Sequence, residues 1–490
     1  MFVIQLKLRK TTLIALVLAF LLAIAGVAYY GWQGVYRQKP LTVYESPEEH
    51  FKYGSIGTES VSGIPFWIWV VLPRLFPEKL PGPGGYTSLG LTWEPGYEMP
   101  VGFTKETIGV PRVGLNCAAC HVGTLRNTVT ESPTFLLGAP STTFDSQRYA
   151  RFLFDCASDP RFNANFILPE ITDNIPLSLG EKLLYRFAII PATKQALLKQ
   201  RAALAYIDSQ PDWGPGRTDM NPLKIGVLGL PNDGSVGSTD VMAVWNEAAH
   251  AEFYKHSDGL TPDLHESVLS SALGTGTTLQ AVNLESLKRV ENWMRQATPP
   301  PYPYPIDADM AARGKVVFES TCATCHSYSG ARTGTVIPLS EVNTDPNRAN
   351  HWTPEAAEGF RRYPNEESEL FANFQDTDGY TAVPLDGVWA RSPYLHNGSV
   401  PTLAALLTDP ADRPPTFYRS FDLYDPQQVG FISNGEEAHK SGYLFDTRIV
   451  GNSNQGHSYG TELEARDQQA LIEYLKTLSA IGRKRIPSKG

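Results

Sequence analysis

The sequence predicts a mainly α fold in two domains with long ordered loops, preceded by one N-terminal transmembrane helix. Three observations carry that expectation. The frame Cys-x-x-Cys-His occurs twice, at Cys117–His121 and at Cys322–His326. An apolar run from Leu13 to Ala28 follows basic residues at the start of the chain. A proline-rich stretch, Pro299 to Pro305, lies between the two frames.

The frames read Cys117-Ala-Ala-Cys120-His121 and Cys322-Ala-Thr-Cys325-His326, and they take four of the five cysteines. This is the attachment signature of c-type haem. On a helical turn the positions i and i+3 share a face, so both sulfurs reach one porphyrin as thioethers. The next residue then brings its imidazole under the iron. A zinc site would need four ligands in tetrahedral spacing, and a redox disulfide has no use for the histidine. The expectation is therefore two cytochrome c-type haem domains with two covalently bound haem c groups. Cys117, Cys120, Cys322 and Cys325 attach them, and His121 and His326 are axial ligands. Cys156 has no partner left and reads as a buried, inert thiol.

With 490 residues and 42% hydrophobic content the chain can bury more than one core, and two or three domains are expected. A net charge of −9 without a long basic run argues against a nucleic-acid partner. Gly 41 and Pro 38 point to long ordered loops. Near the N-terminus, Lys7, Arg9 and Lys10 precede the apolar run, and Tyr29, Tyr30 and Trp32 follow it. The run approaches the ~20 residues that cross a bilayer. Basic residues on one side and aromatic residues on the other suit an uncleaved anchor over 1–35. A cleaved signal peptide shares the pattern, with Ala23-Ile24-Ala25 as its cleavage site. Either way the body is exported, and the anchor reading makes it a single-pass protein of a bacterial cytoplasmic membrane with its body in the periplasm.

Pro299–Pro305 reads PPPYPYP, a stiff spacer. It divides an N-terminal haem domain, 36–298, from a C-terminal cytochrome c domain, 306–490. In the latter, Asp307 caps a helix through Met310, Ala311, Val317 and Phe318 into the second frame. Asp467 to Leu478 places Leu471, Tyr474, Leu475 and Leu478 at helical spacing. The pair resembles the crossing terminal helices of class I cytochromes c, with Gly314 at the close approach and Phe318 against Tyr474. In the N-terminal unit, Ile64–Phe76 is apolar, interrupted by Pro73, and too short to span, so it reads as buried or interfacial. Ser178–Leu204 is helical in composition, broken at Pro191. Gly214-Pro-Gly216-Arg217 lacks the spacing of a phosphate loop and reads as a structured turn.

The sixth ligand of each iron separates carrier from enzyme. None of the six methionines lies beyond Met310, so the second haem is bis-histidine or open. Its candidate ligands are His351, His396, His439 and His457. Bis-histidine ligation sets a lower potential than histidine with methionine. For the first haem, Met220, Met242, His250, His256 and His265 are available, and no spacing singles one out. That haem also reads as five-coordinate and open to a small ligand.

Arg391-Ser-Pro-Tyr-Leu-His396-Asn-Gly-Ser and Gly451-Asn-Ser-Asn-Gln-Gly-His457-Ser-Tyr-Gly complete the pattern. With them the chain resembles the bacterial di-haem cytochrome c peroxidase superfamily, which includes the methylamine-dehydrogenase maturase. It looks closest to the branch of the rubber oxygenases, latex-cleaving di-haem dioxygenases. The resemblance implies His457 as the distal ligand of the C-terminal haem, in a Gly/Asn/Ser loop that approaches a porphyrin closely. His351 and His439 sit in polar, charged segments with nothing to fix an imidazole. It implies His396 beside that haem's edge, and calcium between the haems on backbone carbonyls of Arg391 and Pro393. Two departures stand out. Where relatives carry Trp-Asp-Gly between the haems, this chain has His256-Ser257-Asp258-Gly259, and Trp245 stands in as the nearby tryptophan. The peroxidases' distal glutamate has no counterpart in Leu273–Gln280, and Glu266 reads as a helix-surface acid. Without a proton donor, cleavage of a peroxide O–O bond is not supported.

The expected function is that of a membrane-anchored periplasmic di-haem c-type cytochrome, an oxidoreductase acting at the N-terminal haem. It would exchange electrons with a periplasmic or membrane donor or acceptor and act on a small oxidant or an apolar substrate. The alternatives are a pure electron-transfer cytochrome with both irons six-coordinate, a haem dioxygenase cleaving an apolar substrate, and a non-catalytic haem sensor. No catalytic residue is assigned from the sequence.

Overall fold

The fold is that of a computed structural model describing residues 10–35, 37 and 39–479. It is 44% helical with a sheet content of 11%, which corrects the expectation of a mainly α fold. The strands make one three-stranded and five two-stranded sheets. The largest holds a hairpin of Phe103–Ile108 and Val110–Leu115, turned at Gly109 with φ 71°. Ile64–Pro65 adds the third strand beside Val113. Most of the remaining strands have two to four residues, too short to leave a readable alternation in the sequence.

The transmembrane expectation is corrected as well. A helix of 26 residues runs over Lys10–Val35, so length is not the obstacle. Among the described residues, however, no helix is long and apolar enough to cross a membrane. The single-pass anchor over 1–35, and the cytoplasmic-membrane placement built on it, are not shown. Lys7 and Arg9, which that expectation used, lie outside the described residues.

Elsewhere local rules act as the sequence suggests. The Asp307 side chain accepts from Met310 N and starts the helix Ala308–Thr321, which runs directly into the second frame. The helix Ala465–Lys476 crosses it, with Gly314 against the backbone of Ala470 and the rings of Phe318 and Tyr474 centred 5.2 Å apart. Phe66–Leu75 is a helix that buries Phe66, Ile68, Trp69, Val71 and Leu72, so the Ile64–Phe76 segment belongs to a core. Pro191 does not break the helical stretch after Ser178; a π-helical segment, Tyr185–Ile189, runs directly into Ile190–Ala203 and places Pro191 in its first turn. Gly214 and Gly216 both hold positive φ, as the turn there requires.

Among the described residues the two larger of four hydrophobic cores span the proline stretch. One gathers Phe51, Trp69, Phe103, Phe152 and Trp293 with Trp352, Phe360 and Phe374 from beyond the proline stretch. The other gathers Phe318, Trp389, Tyr424, Leu471 and Leu475 with Leu125, Leu136 and Trp245 from before it. Cys156 is fully buried in the first core, where burial raises its thiol pKa. Pro299–Pro305 carries no helix or strand; Pro299 and Tyr302 are buried and Tyr304 half-buried.

Candidate haem sites

The two frames are built alike. In each, the backbone N–H of the histidine donates to the carbonyl of the first cysteine at 3.0 Å, and that of the second cysteine donates to the same carbonyl at 3.2 Å. This winds both sulfurs and the imidazole around one turn. The first frame leaves the hairpin through Asn116, whose Oδ1 accepts from Ala118 N and whose Nδ2 donates to Gly54 O. The second is the continuation of the helix Ala308–Thr321.

Both frame histidines are oriented by a backbone carbonyl. His121 Nδ1 donates to Met242 O at 2.9 Å, and His326 Nδ1 donates to Val383 O at 2.7 Å. A carbonyl can only accept, so the proton sits on Nδ1 and the Nε2 lone pair is free to bind a metal. Burial pushes the pKa of His121 down to about 4 and lowers that of His326. Both rings are therefore neutral at pH 7, as ligation requires.

His457 faces His326 with 6.2 Å between ring centres. An iron bonded to two imidazoles at ~2 Å each, with each nitrogen ~1.1 Å from its ring centre, would set the centres about 6.2 Å apart. The pair thus fits a metal held between its rings. His457 is placed by its loop: it has φ 47° and follows Gly456 at φ 77°. A Cβ at Gly456 would come within 2.3 Å of Asn343 backbone atoms. Arg413 staples the loop, its Nη1 donating to Asn454 O and Gly456 O and its Nη2 to His457 O. Burial brings the His457 pKa down to about 4.

Both frames, His457, His396, His256 and Trp245 line one cavity of about 1160 Å³. Single-ligand pockets hold ~300–1,000 Å³, so the space suits more than one large group. His396 is half-buried, stacks on Tyr380 with ring centres 3.7 Å apart, and has a buried Nε2 without a partner. His256 has φ 63°, an Nε2 lying 3.3 Å from Ser267 Oγ, and a pKa brought to about 4 by burial. Trp245 donates to Leu137 O at 2.7 Å, and the Arg391 guanidinium lies 5.8 Å from its ring. Arg391 also donates to the carbonyls of Pro384 and Asp386, and both Arg391 and Pro393 line the cavity. Among the described residues no group of three His, Cys, Asp or Glu could hold a metal ion, so calcium there would depend on carbonyls.

Two of the other candidates are engaged by carboxylates: His250 lies between Glu247 and Asp386, and His265 contacts Glu291 at 2.6 Å. Met220 is buried on the wall of the same cavity, and Met242 acts through its carbonyl. Among the described residues no imidazole faces His121 as His457 faces His326. Glu266 is buried rather than on the surface: its carboxylate accepts from Thr261 Oγ1 and from Asn373 N and Nδ2. His351 departs from the sequence reading too. It is fully buried, its Nδ1 lies 2.7 Å from Ser235 Oγ, and Gly237 provides the space for its ring. The sequence reading missed the Arg413 staple and the two carbonyl anchors; only Gly456, next to His457, was a local signal.

Residues 379–419 match the model of a family described as RoxA-like, cytochrome c-like. The matched stretch contains Arg391, Pro393 and His396 and neither haem frame. The chain is 29% identical over 283 residues to the uncharacterised protein y4iM of Sinorhizobium fredii, covering 49% of this chain and 64% of that one. It is 45% identical over 108 residues to the uncharacterised protein y4iJ of the same species, covering 20% of this chain and 18% of that one. It therefore spans less than two thirds of either relative. The wider di-haem peroxidase superfamily is not confirmed by these matches. What the family match supports is a c-type cytochrome, similar to the RoxA-like proteins, with covalently bound haem c.

Proposed function

We propose that the protein is a di-haem c-type cytochrome that works as an oxidoreductase, with a closed iron at the second frame and an open one at the first. The observation that carries this reading is the His326–His457 pair, 6.2 Å apart on the wall of a cavity that both frames share. Cys117 with Cys120, and Cys322 with Cys325, would hold the two groups, one frame before 299–305 in the sequence and one after it. When bound, haem supplies one-electron redox chemistry at a closed iron and binding of small ligands at an open one. Val383 O and the Arg413 staple hold the two imidazoles of the second site in place, which favours electron transfer without ligand exchange. Met242 O holds His121 alone.

The surroundings of the first frame favour ligand binding over peroxide cleavage. His256 is a neutral ring able to donate a hydrogen bond but not to act as an acid at pH 7. Glu266 is already committed to Thr261 and Asn373, so it does not stand free as a proton donor. Phe51, Leu153, Leu223, Val268 and Leu273 line the same cavity. This apolar wall supports a second reading, in which O₂ is bound at the first frame and an apolar substrate is oxidised beside it.

The test is His457→Ala in the haem-loaded protein. One low-spin ferric EPR signal should turn high-spin, and that haem should gain carbon monoxide binding when reduced. An unchanged low-spin signal, with the loss appearing instead in His396→Ala, would reassign the ligand.

A further inference from the structure

The proline stretch was read as a spacer, yet its tyrosines are packed into the second core. Tyr304 stacks on Tyr424 with ring centres 5.7 Å apart and planes 8° from parallel. Tyr424 meets Trp389 edge-on at 5.8 Å, and its hydroxyl donates to Trp389 O. Trp389 is 1% exposed and follows Val388, which lines the cavity. Trp245, also on the cavity wall, lies one glycine away: a Cβ at Gly387 would come within 2.8 Å of its Cζ3. At the other end the Tyr304 hydroxyl reaches the surface and donates to Asn127 Oδ1 at 2.6 Å.

We propose that Trp389, Tyr424 and Tyr304 form an electron route from the protein surface to the haem cavity, with Tyr304 as its outer terminus. The charges around the rings set its direction. A ring that gives up an electron becomes positive, so a nearby cation makes oxidation harder. Arg391 lies 5.8 Å from the Trp245 ring, and Lys476 Nζ lies 5.3 Å from the Tyr302 ring. No such cation–ring contact is found at Trp389, Tyr424 or Tyr304 among the described residues. An electron vacancy is therefore driven outward past Tyr302. An oxidised phenol must also lose its proton. Tyr424 is buried and donates to a carbonyl, which is too weak a base to take it. The Tyr304 hydroxyl donates to an exposed amide oxygen at the surface, where water can take its proton, and is the place where the vacancy settles. A reductant meeting the surface at Tyr304 would then refill the cavity without entering it.

This inference rests on the proposed function, with haem attached at both frames and a peracid reacting at the open iron of the first. A peracid provides the oxidising equivalents, because its carboxylate leaves without help from a distal acid. Each peracid molecule takes up two electrons and two protons to give the carboxylic acid and water. With haem bound at the first frame, one electron would come from that group and one from Tyr304; the Tyr304 proton passes to solvent, and both protons taken up by the peracid come from solvent.

The experiment is rapid-freeze EPR of the ferric, haem-loaded protein mixed with meta-chloroperbenzoic acid. A tyrosyl signal should appear and narrow when ring-deuterated tyrosine is incorporated. It should be lost in Tyr304→Phe, retained in Tyr302→Phe, and reduced severalfold in Trp389→Phe. A signal that survives Tyr304→Phe, or that vanishes equally in Tyr302→Phe, would overturn the route. So would the absence of any radical in protein whose haem groups are shown to be covalently held on both frames. Protein lacking haem on either frame would instead overturn the haem reading, and the route with it.

Discussion

Replacing Gly314 with alanine would put a methyl group where the backbone of the last helix already lies. An added Cβ would sit 1.8 Å from Ala470 O and 2.4 Å from Ala470 C. Ordinary contact begins near 3.4 Å, so the helices Ala308–Thr321 and Ala465–Lys476 must part by about 1.6 Å (3.4 − 1.8) at the crossing. Alanine gains up to ~1 kcal/mol over glycine in a helix interior. Overpacking against rigid backbone costs ~1–3 kcal/mol or more, and the parting also loosens Phe318 against Tyr474. The steric term wins, and a net loss of about 1–3 kcal/mol is expected. Thermal unfolding followed by circular dichroism measures it, with Gly226→Ala as the control, since nothing lies within 4 Å of a Cβ there. The Gly314→Ala midpoint should fall by several degrees, at ~2–4 °C per kcal/mol, while that of the control stays level. A Gly314→Ala protein as stable as the parent would refute the close crossing.

Arg413→Gln removes the guanidinium that ties Asn454, Gly456 and His457 together. Each lost hydrogen bond is worth ~1 kcal/mol, so part of the second haem should become high-spin at equilibrium; an EPR spectrum identical to the parent's would contradict the staple. The His250–Asp386–Glu247 cluster predicts a pH profile. Burial works against the charge on His250, but the hydrogen bonds it donates to Asp386 and Glu247 raise its pKa, so its contribution is full below its ordinary 6.5 and lost as pH rises through the raised value. Asp386 and Glu247 have lowered pKa values, held down against burial by His250 and nearby cations, so their share is lost only as pH falls below the ordinary carboxylate range. Denaturant titrations should show stability falling on the alkaline side of about pH 6.5 in the parent but not in His250→Gln. Superimposable profiles would contradict the linkage.

What could be read from the sequence was local. The two frames, the Asp307 cap, Gly314 and the ring pair Phe318–Tyr474 each follow from neighbours within a few residues or from one helical period. The loop bearing His457 was legible through Gly456. The hairpin Phe103–Leu115 and the short strand pairs left no periodic trace, and so the sheet content was missed. The burial of His351 depends on Ser235 and Gly237, more than a hundred residues away, and no local pattern encodes it. The carbonyls of Met242 and Val383 are invisible to any residue-type argument, because every residue carries one. Tyr302 and Tyr304 looked like parts of a spacer because their partners, Trp389 and Tyr424, come from distant loops.

The account stands or falls on how many haem groups the chain holds and where. Acid–acetone extraction followed by intact-mass measurement of the polypeptide decides this. Two covalently retained groups are predicted, one lost in Cys117→Ala with Cys120→Ala and the other in Cys322→Ala with Cys325→Ala. Haem released into the extract, or a polypeptide carrying a single group, would contradict it.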